Sequence, residues 1–235
     1  MKTILFIHGF SAREEDNIYF LEYLKKKRVD VHTFTLPGHL ENKVEKITYD
    51  KWLEASKIEL EKLLQQRKKV ILIGHSMGGA IATILASQYN VEKLVLIAPA
   101  YELGSLKQNK EDFKNLIFKR QNKELGTGFE GVLRKVLTVC KSDLKEVKKI
   151  GELAKKRIKE VTCPVLLLHG TIDQVVSITS SVEAYSKFTS PKTFTLITDV
   201  RHQVFKSNKK KEISKYIYSY IKGGLSFLMN RKDQL

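Results

Sequence analysis

Residues 70–80 read Val-Ile-Leu-Ile-Gly-His-Ser-Met-Gly-Gly-Ala, and few folds accommodate such a stretch. The unbroken apolar run from Val70 to Ile73 predicts a strand covered on both faces. Ala80-Ile81-Ala82-Thr83-Ile84-Leu85-Ala86 is small and apolar enough for a buried helix. The turn between them must then be very tight, with Ser76 at its tip. Gly74 and Gly78, two residues before and two after, complete the pattern G-x-S-x-G. That spacing has a steric reason: the chain doubles back so closely that neither position has room for a Cβ. An incidental serine in a glycine-rich turn would look the same locally, so the rest of the chain has to decide.

Five further apolar runs, at 3–7, 29–34, 94–98, 165–168 and 193–197, alternate with amphipathic helical patterns at 17–27, 49–66, 178–188 and 210–222. Such alternation predicts an α/β fold with about six strands, mostly parallel, and helices on both faces. It fails once. Residues 101–162 hold no convincing strand, a loop-like glycine-rich segment at 126–131 and a basic amphipathic pattern at 143–161. We expect a core of residues 1–100 and 163–235, with 101–162 inserted as a small helical cap. An insertion between two sheet strands at their C-terminal edge is placed to cover a site there.

A chain of 235 residues can bury a full core without staples. No apolar run approaches the roughly 18 residues a bilayer-spanning helix needs. Residues 1–7 resemble a signal peptide only briefly, because the apolar run passes straight into His8-Gly9; they read as a first strand. Cys140 and Cys163 are too few for a disulfide framework, so a reducing, cytoplasmic setting is expected. The net charge of +16 comes mainly from 34 lysines. Their runs, at 25–28, 67–69, 155–157 and 209–211, fall mostly near predicted helix ends, where cations suit the helix dipole. No aromatic-interleaved strand accompanies them. We read these runs as solvated faces, expect no specific nucleic-acid partner, and leave weak contact with an anionic membrane open. A monomer or homodimer is expected.

A serine hydroxyl is a poor nucleophile until a base accepts its proton, and the base is usually a histidine held by a carboxylate. Of six histidines, His202 alone lies in a polar loop after a late strand with room to reach the turn. His8, His32, His39, His75 and His169 are expected to be structural. Asp173, just past the run at 165–168 and behind Gly170, is the expected carboxylate. Asp199 is the rival, but one short loop would then have to supply both partners. An oxyanion hole needs two backbone N–H groups. Met77, after the serine, offers one. Phe10, after His8-Gly9, offers the other, and both side chains would line the substrate pocket. No cofactor or metal is expected.

These residues together resemble the serine hydrolases of the α/β-hydrolase fold, in particular small bacterial carboxylesterases and monoacylglycerol lipases. The resemblance rests on His8-Gly9-Phe10, Pro37-Gly38-His39, Gly74 to Gly79, the Gly170 to Val176 loop and His202, in the order Ser, Asp, His. It implies a carboxylic ester hydrolase acting on a small-molecule ester, with Ser76, Asp173 and His202 as triad and 101–162 as cap. Monoacylglycerol lipase, thioesterase and amidase activity, or a binding protein without turnover, are the other readings of the same residues. One departure is Gly38-His39-Leu40, where members often carry Gly-His-Gly.

Overall fold

Six strands form one sheet: β1 (Thr3–Ile7), β2 (Asp30–Thr33), β3 (Val70–His75), β4 (Lys93–Ile97), β5 (Val165–Gly170) and β6 (Lys192–Ile197). The computed structural model describes residues 2–10, 12, 17–39, 48–66, 69–103 and 129–223, with side chains in the last stretch described from Asp143 onward. Every neighbouring pair is parallel, in the order β2-β1-β3-β4-β5-β6. The order reverses between β1 and β3, so the loops leaving their tips diverge and open a crevice there.

Strand periodicity fixes the register. Leu5, Leu72, Leu94 and Val165 pair in a row across the four central strands. All four belong to the hydrophobic cluster on one face. The next row, Phe6, Ile73, Val95 and Leu166, belongs wholly to the cluster on the other. A slip of one residue would exchange the two faces of a strand, so both layers of helices enforce the same alignment. The outer strands β2 and β6 are mostly half-buried, as sheet edges are.

On the first face lie α2 (Tyr49–Gln65), α3 (Met77–Gln88), α4 (Phe129–Arg157) and α5 (Ile178–Lys187). The second carries α1 (Ile18–Lys26) and α6 (Lys210–Ile221), where Phe20 stacks on Phe205 with ring centroids 4.4 Å apart. The α3 helix is buried from Met77 through Ala86, as its small apolar sequence requires. On α1 and α2, exposed Lys25 pairs with Glu22 and exposed Lys62 with Glu59, each three residues away. Exposed pairs of this kind contribute little stability. Cys163 is buried and free, and burial pushes its thiol up to about 11.

The insertion differs from expectation. The α4 helix starts at Phe129, so Phe129, Glu130 and Gly131 are helical and not loop. A glycine inside a helix costs about 1 kcal/mol, which a 29-residue helix absorbs. From Val147 on, α4 is also part of the main layer: Val147, Ile150 and Ala154 join the first cluster at helical spacing, and Ile158 follows. This part of residues 101–162 packs on α3. Residues 104–128 lie outside the described residues.

Gly151 sets how closely α4 approaches. A Cβ there would sit 2.5 Å from the Ala100 carbonyl oxygen and 2.8 Å from that of Tyr101. Both atoms are backbone and cannot step aside. Gly151→Ala is therefore expected to destabilise the fold by about 1–3 kcal/mol, the usual cost of overpacking. Thermal melts check this, at about 2–4 °C of midpoint per kcal/mol for a chain of this size.

Candidate active site

Ser76 stands at the tip of β3 with φ 56° and ψ −121°. A non-glycine residue there stores strain of about 1–3 kcal/mol and needs surroundings that enforce it. Three backbone bonds do so: Ser76 N–H donates to Ile97 O, and Gly79 and Ala100 N–H donate to Ser76 O, each at 2.9 Å. The glycines on either side are steric necessities. A Cβ on Gly74 would lie 2.3 Å from Gly78 O, and one on Gly78 would lie 2.1 Å from Ile7 O. Ala98 and Asp199, at the tips of β4 and β6, also have positive φ, so backbone strain gathers along this edge of the sheet.

The loop after β1 lies against the serine. A Cβ on Gly9 would be 3.0 Å from Ser76 Cβ and 3.5 Å from its Oγ. His8 holds this loop. Its Nε2 accepts from Leu36 N–H at 2.9 Å, so Nδ1 carries the proton and donates to Gly9 O at 2.9 Å. Phe10 is half-buried. Its ring meets His39 and Trp52 at centroid distances of 5.8 and 6.0 Å. Trp52 Nε1 and His39 Nδ1 both donate to Pro37 O at 3.1 Å, which fixes this aromatic wall. Leu40 lies outside the described residues. Met77 is fully buried in the core, so its side chain presents no surface; its N–H opens the first turn of α3.

Asp173 is held on all sides. Its side chain is fully buried. Val175 and Val176 N–H donate to its Oδ1 at 2.8 and 3.0 Å, closing the turn that follows β5. His202 Nδ1 donates to Oδ2 at 2.8 Å. His169 Nε2 lies 3.3 Å from the same oxygen. Burial alone would push the carboxyl pKa up. The His202 charge, the hydrogen bonds from His169 and His202 and the Val176 N–H outweigh it and hold the pKa well below the ordinary carboxylate range. Gly170 makes the pairing reachable: a Cβ there would lie 2.1 Å from Val200 O, so β5 and the His202 loop meet through bare backbone. Asp199, the rival carboxylate, is exposed and does not pair with His202; its N–H is held by Thr171 Oγ1 at 2.9 Å.

With the proton on Nδ1, His202 keeps Nε2 as its proton acceptor. His75 Nε2 donates to His202 O at 3.0 Å, and the two rings are 5.1 Å apart. The neighbour of Ser76 thus grips the main chain of the histidine loop. The sequence signals neither this contact nor that of His169, because both cross between elements distant in the chain. Among the described residues no group of three or more His, Cys, Asp or Glu side chains is arranged to hold a metal ion.

A family model described as an alpha/beta hydrolase family matches residues 4–205. The chain belongs to this family. Among relatives, the hydrolase is 28% identical over 222 residues to a Mycoplasma pneumoniae protein provisionally named esterase/lipase 2, covering 85% of this chain and 82% of that one. Its fold matches that of a metagenome-derived lipolytic enzyme with TM-score 0.74 at 22% identity, over 94% of this chain and 93% of the other. It also matches Paleococcus ferrophilus monoacylglycerol lipase with TM-score 0.71 at 20% identity, over 94% and 96%.

The depressed Asp173 pKa has a stability consequence of definite sign. A carboxyl that ionises more readily folded than unfolded stabilises the fold above the unfolded value of about 3.9. That contribution is lost as pH falls below it toward the folded pKa. Asp173→Asn should therefore melt below wild type at neutral pH, with the gap closing under acid, read from melts across a pH series.

Proposed function

We propose that this hydrolase is a serine esterase that cleaves carboxylic esters through an acyl-enzyme on Ser76. The observation carrying the reading is the 2.8 Å bond from His202 Nδ1 to the buried Asp173, on a loop gripped by the neighbour of Ser76. The family match and the relative named as an esterase/lipase support it.

In this reading Ser76 Oγ attacks the ester carbonyl carbon while His202 Nε2 takes its proton. Asp173 keeps the imidazole in the useful tautomer and favours the imidazolium that forms. The oxyanion that develops is stabilised by the N–H groups of Phe10 and Met77. As the intermediate collapses, the carbon–oxygen bond to the alcohol breaks and His202 returns its proton to that alcohol. Water, deprotonated by His202, then attacks the acyl-serine ester and releases the acid. The Phe10 ring, backed by Trp52 and His39, is the wall we assign to the substrate. Residues 101–162, inserted between β4 and β5, are proposed as a helical cap insertion. A cytoplasmic setting fits the buried free Cys163, and no described helix is long and apolar enough to cross a membrane.

Monoacylglycerol lipase activity is the second reading, favoured by the fold match to such a lipase, and thioesterase activity the third. The pockets for acyl and leaving groups separate them. A series of p-nitrophenyl esters of rising chain length, set against monoacylglycerol and acyl-CoA, is expected to show preference for short acyl esters. Preference for monoacylglycerol would move the assignment to a lipase.

Ser76→Ala is expected to abolish fluorophosphonate labelling and to lower kcat by about 10⁶-fold, as loss of a triad serine does elsewhere. Equal labelling of wild type and variant, or labelling of neither, removes Ser76 as nucleophile.

A further inference from the structure

Asp173 Oδ2 has an imidazole on each side: His202 Nδ1 at 2.8 Å and His169 Nε2 at 3.3 Å. We propose that His169 is a positioning residue for the His202 base, acting through Asp173 to fix where His202 Nε2 points. The proposal rests on the esterase reading above, in which His202 is the base.

The proton on His169 can be placed. Its Nε2 faces the Val176 carbonyl oxygen at 3.2 Å and the Asp173 carboxylate, and neither can donate. Nε2 therefore carries the hydrogen and shares it between them. Nδ1 is then an acceptor, and Ser181 Oγ donates to it at 2.8 Å. Both His169 and Ser181 are fully buried, so bulk water does not compete for either ring nitrogen. A histidine that only filled the core would be satisfied by Val176 O and Ser181 alone. The contact with the carboxylate is one that packing does not require.

Asp173 has a use for it. Its Oδ1 is pinned by two N–H groups of its own loop, but Oδ2 points at a histidine on another loop. Loops are the mobile parts of a fold. His169 belongs to β5, where it pairs with Leu196 of β6 in the sheet. It thus refers the carboxylate to a rigid strand, as His75 of β3 refers the His202 main chain to another. A carboxylate oxygen has two lone-pair sites, so Oδ2 can accept from both rings.

The second donor also has an electrostatic effect. It takes a share of the carboxylate charge that an Asp173 held by one donor would direct at His202 alone. Among the described residues, the titratable groups in contact with His202 are Asp173 and His75. The packed α5 helix presents Ser181 to His169, and Asp199 and Arg201 of the same loop as His202 are exposed. Losing His169 therefore leaves more of the carboxylate charge facing His202.

The test compares His169→Leu, which removes the donor, with His169→Gln, whose amide N–H can replace Nε2–H, on a short p-nitrophenyl ester. The Leu variant should lose about 10- to 100-fold in kcat, the range seen when the hydrogen-bond partner that orients a metal-bound histidine is removed. Its KM should stay near wild type, and the acid limb of its kcat/KM profile should move to higher pH. The Gln variant should recover most of both, and Ser181→Ala should show a smaller change in the same direction. A Leu variant with wild-type kcat and an unmoved limb overturns the proposal. So do Leu and Gln variants that are equally impaired, because the loss is then one of packing. If the Leu variant does not fold, Ser181→Ala decides, and an unchanged kcat and limb overturn the role. His202→Ala separates the two levels. Wild-type turnover in that variant removes the base assignment itself, whereas an inactive His202→Ala beside an unaffected His169→Leu removes the positioning role alone.

Discussion

Where the first turn of α3 meets the end of β1, main chain lies against main chain with no side chain between them. Gly78 lies so close to Ile7 that a Cβ would fall 2.1 Å from its carbonyl oxygen, and Gly74 is as close to Gly78. This contact draws the first turn of α3 under the tip of β1. The loop after β1 and the turn after β3 then end beside each other, at the point where the strand order reverses. A Cβ on Gly9 would lie 3.0 Å from Ser76 Cβ for the same reason. The strained φ of Ser76 follows from the geometry, and its cost of about 1–3 kcal/mol is of the same order as three buried backbone hydrogen bonds at about 0.5–1.5 kcal/mol each.

The second constraint is a buried charge. Taking a carboxylate out of water costs several kcal/mol even after the protein relaxes. Asp173 meets this with two N–H donors on one oxygen and two imidazoles on the other. The downward direction of its pKa means that these interactions outweigh burial. The donors come from the β5 loop itself, from β5 and from the loop after β6. The charge therefore ties three segments together, and Gly170 gives them room to meet.

Much of this was legible in the sequence because it is local or periodic. Alternate residues of the four central strands divide cleanly between the two clusters, as unbroken apolar runs with a two-residue period must. The elbow glycines were legible because their spacing is steric. Asp173 could be preferred to Asp199 because one short loop rarely holds both partners, and Asp173 is the residue that meets His202. The start of α4 was not legible. Gly126, Gly128 and Gly131 read as loop, yet Phe129 to Gly131 are helical because packing of the later turns on α3 overrides weak local propensity. His75 and His169 read as core histidines, which they also are. Their second contacts arise between strands and loops that only the fold brings together.

The insertion joins these two constraints. It leaves β4 through Ala98, at φ 43°, and its first residues are fixed at once. Tyr101 OH and Thr83 Oγ1 share a 2.7 Å hydrogen bond to α3, and the carbonyls of Ala100 and Tyr101 are pressed against Gly151 of α4. Leu103 then forms an antiparallel bridge with Val176. Val176 is the residue whose N–H donates to Asp173 Oδ1 and whose carbonyl accepts from His169. The root of the insertion is thus attached to the loop that holds the carboxylate. Its far end returns along α3, the helix that begins one residue after Ser76. The described parts of the insertion, Tyr101 to Leu103 at its root and Val147 to Ile158 at its far end, are thus held by elements that also position Asp173 and Ser76, so their placement and the geometry of the site are set by the same contacts.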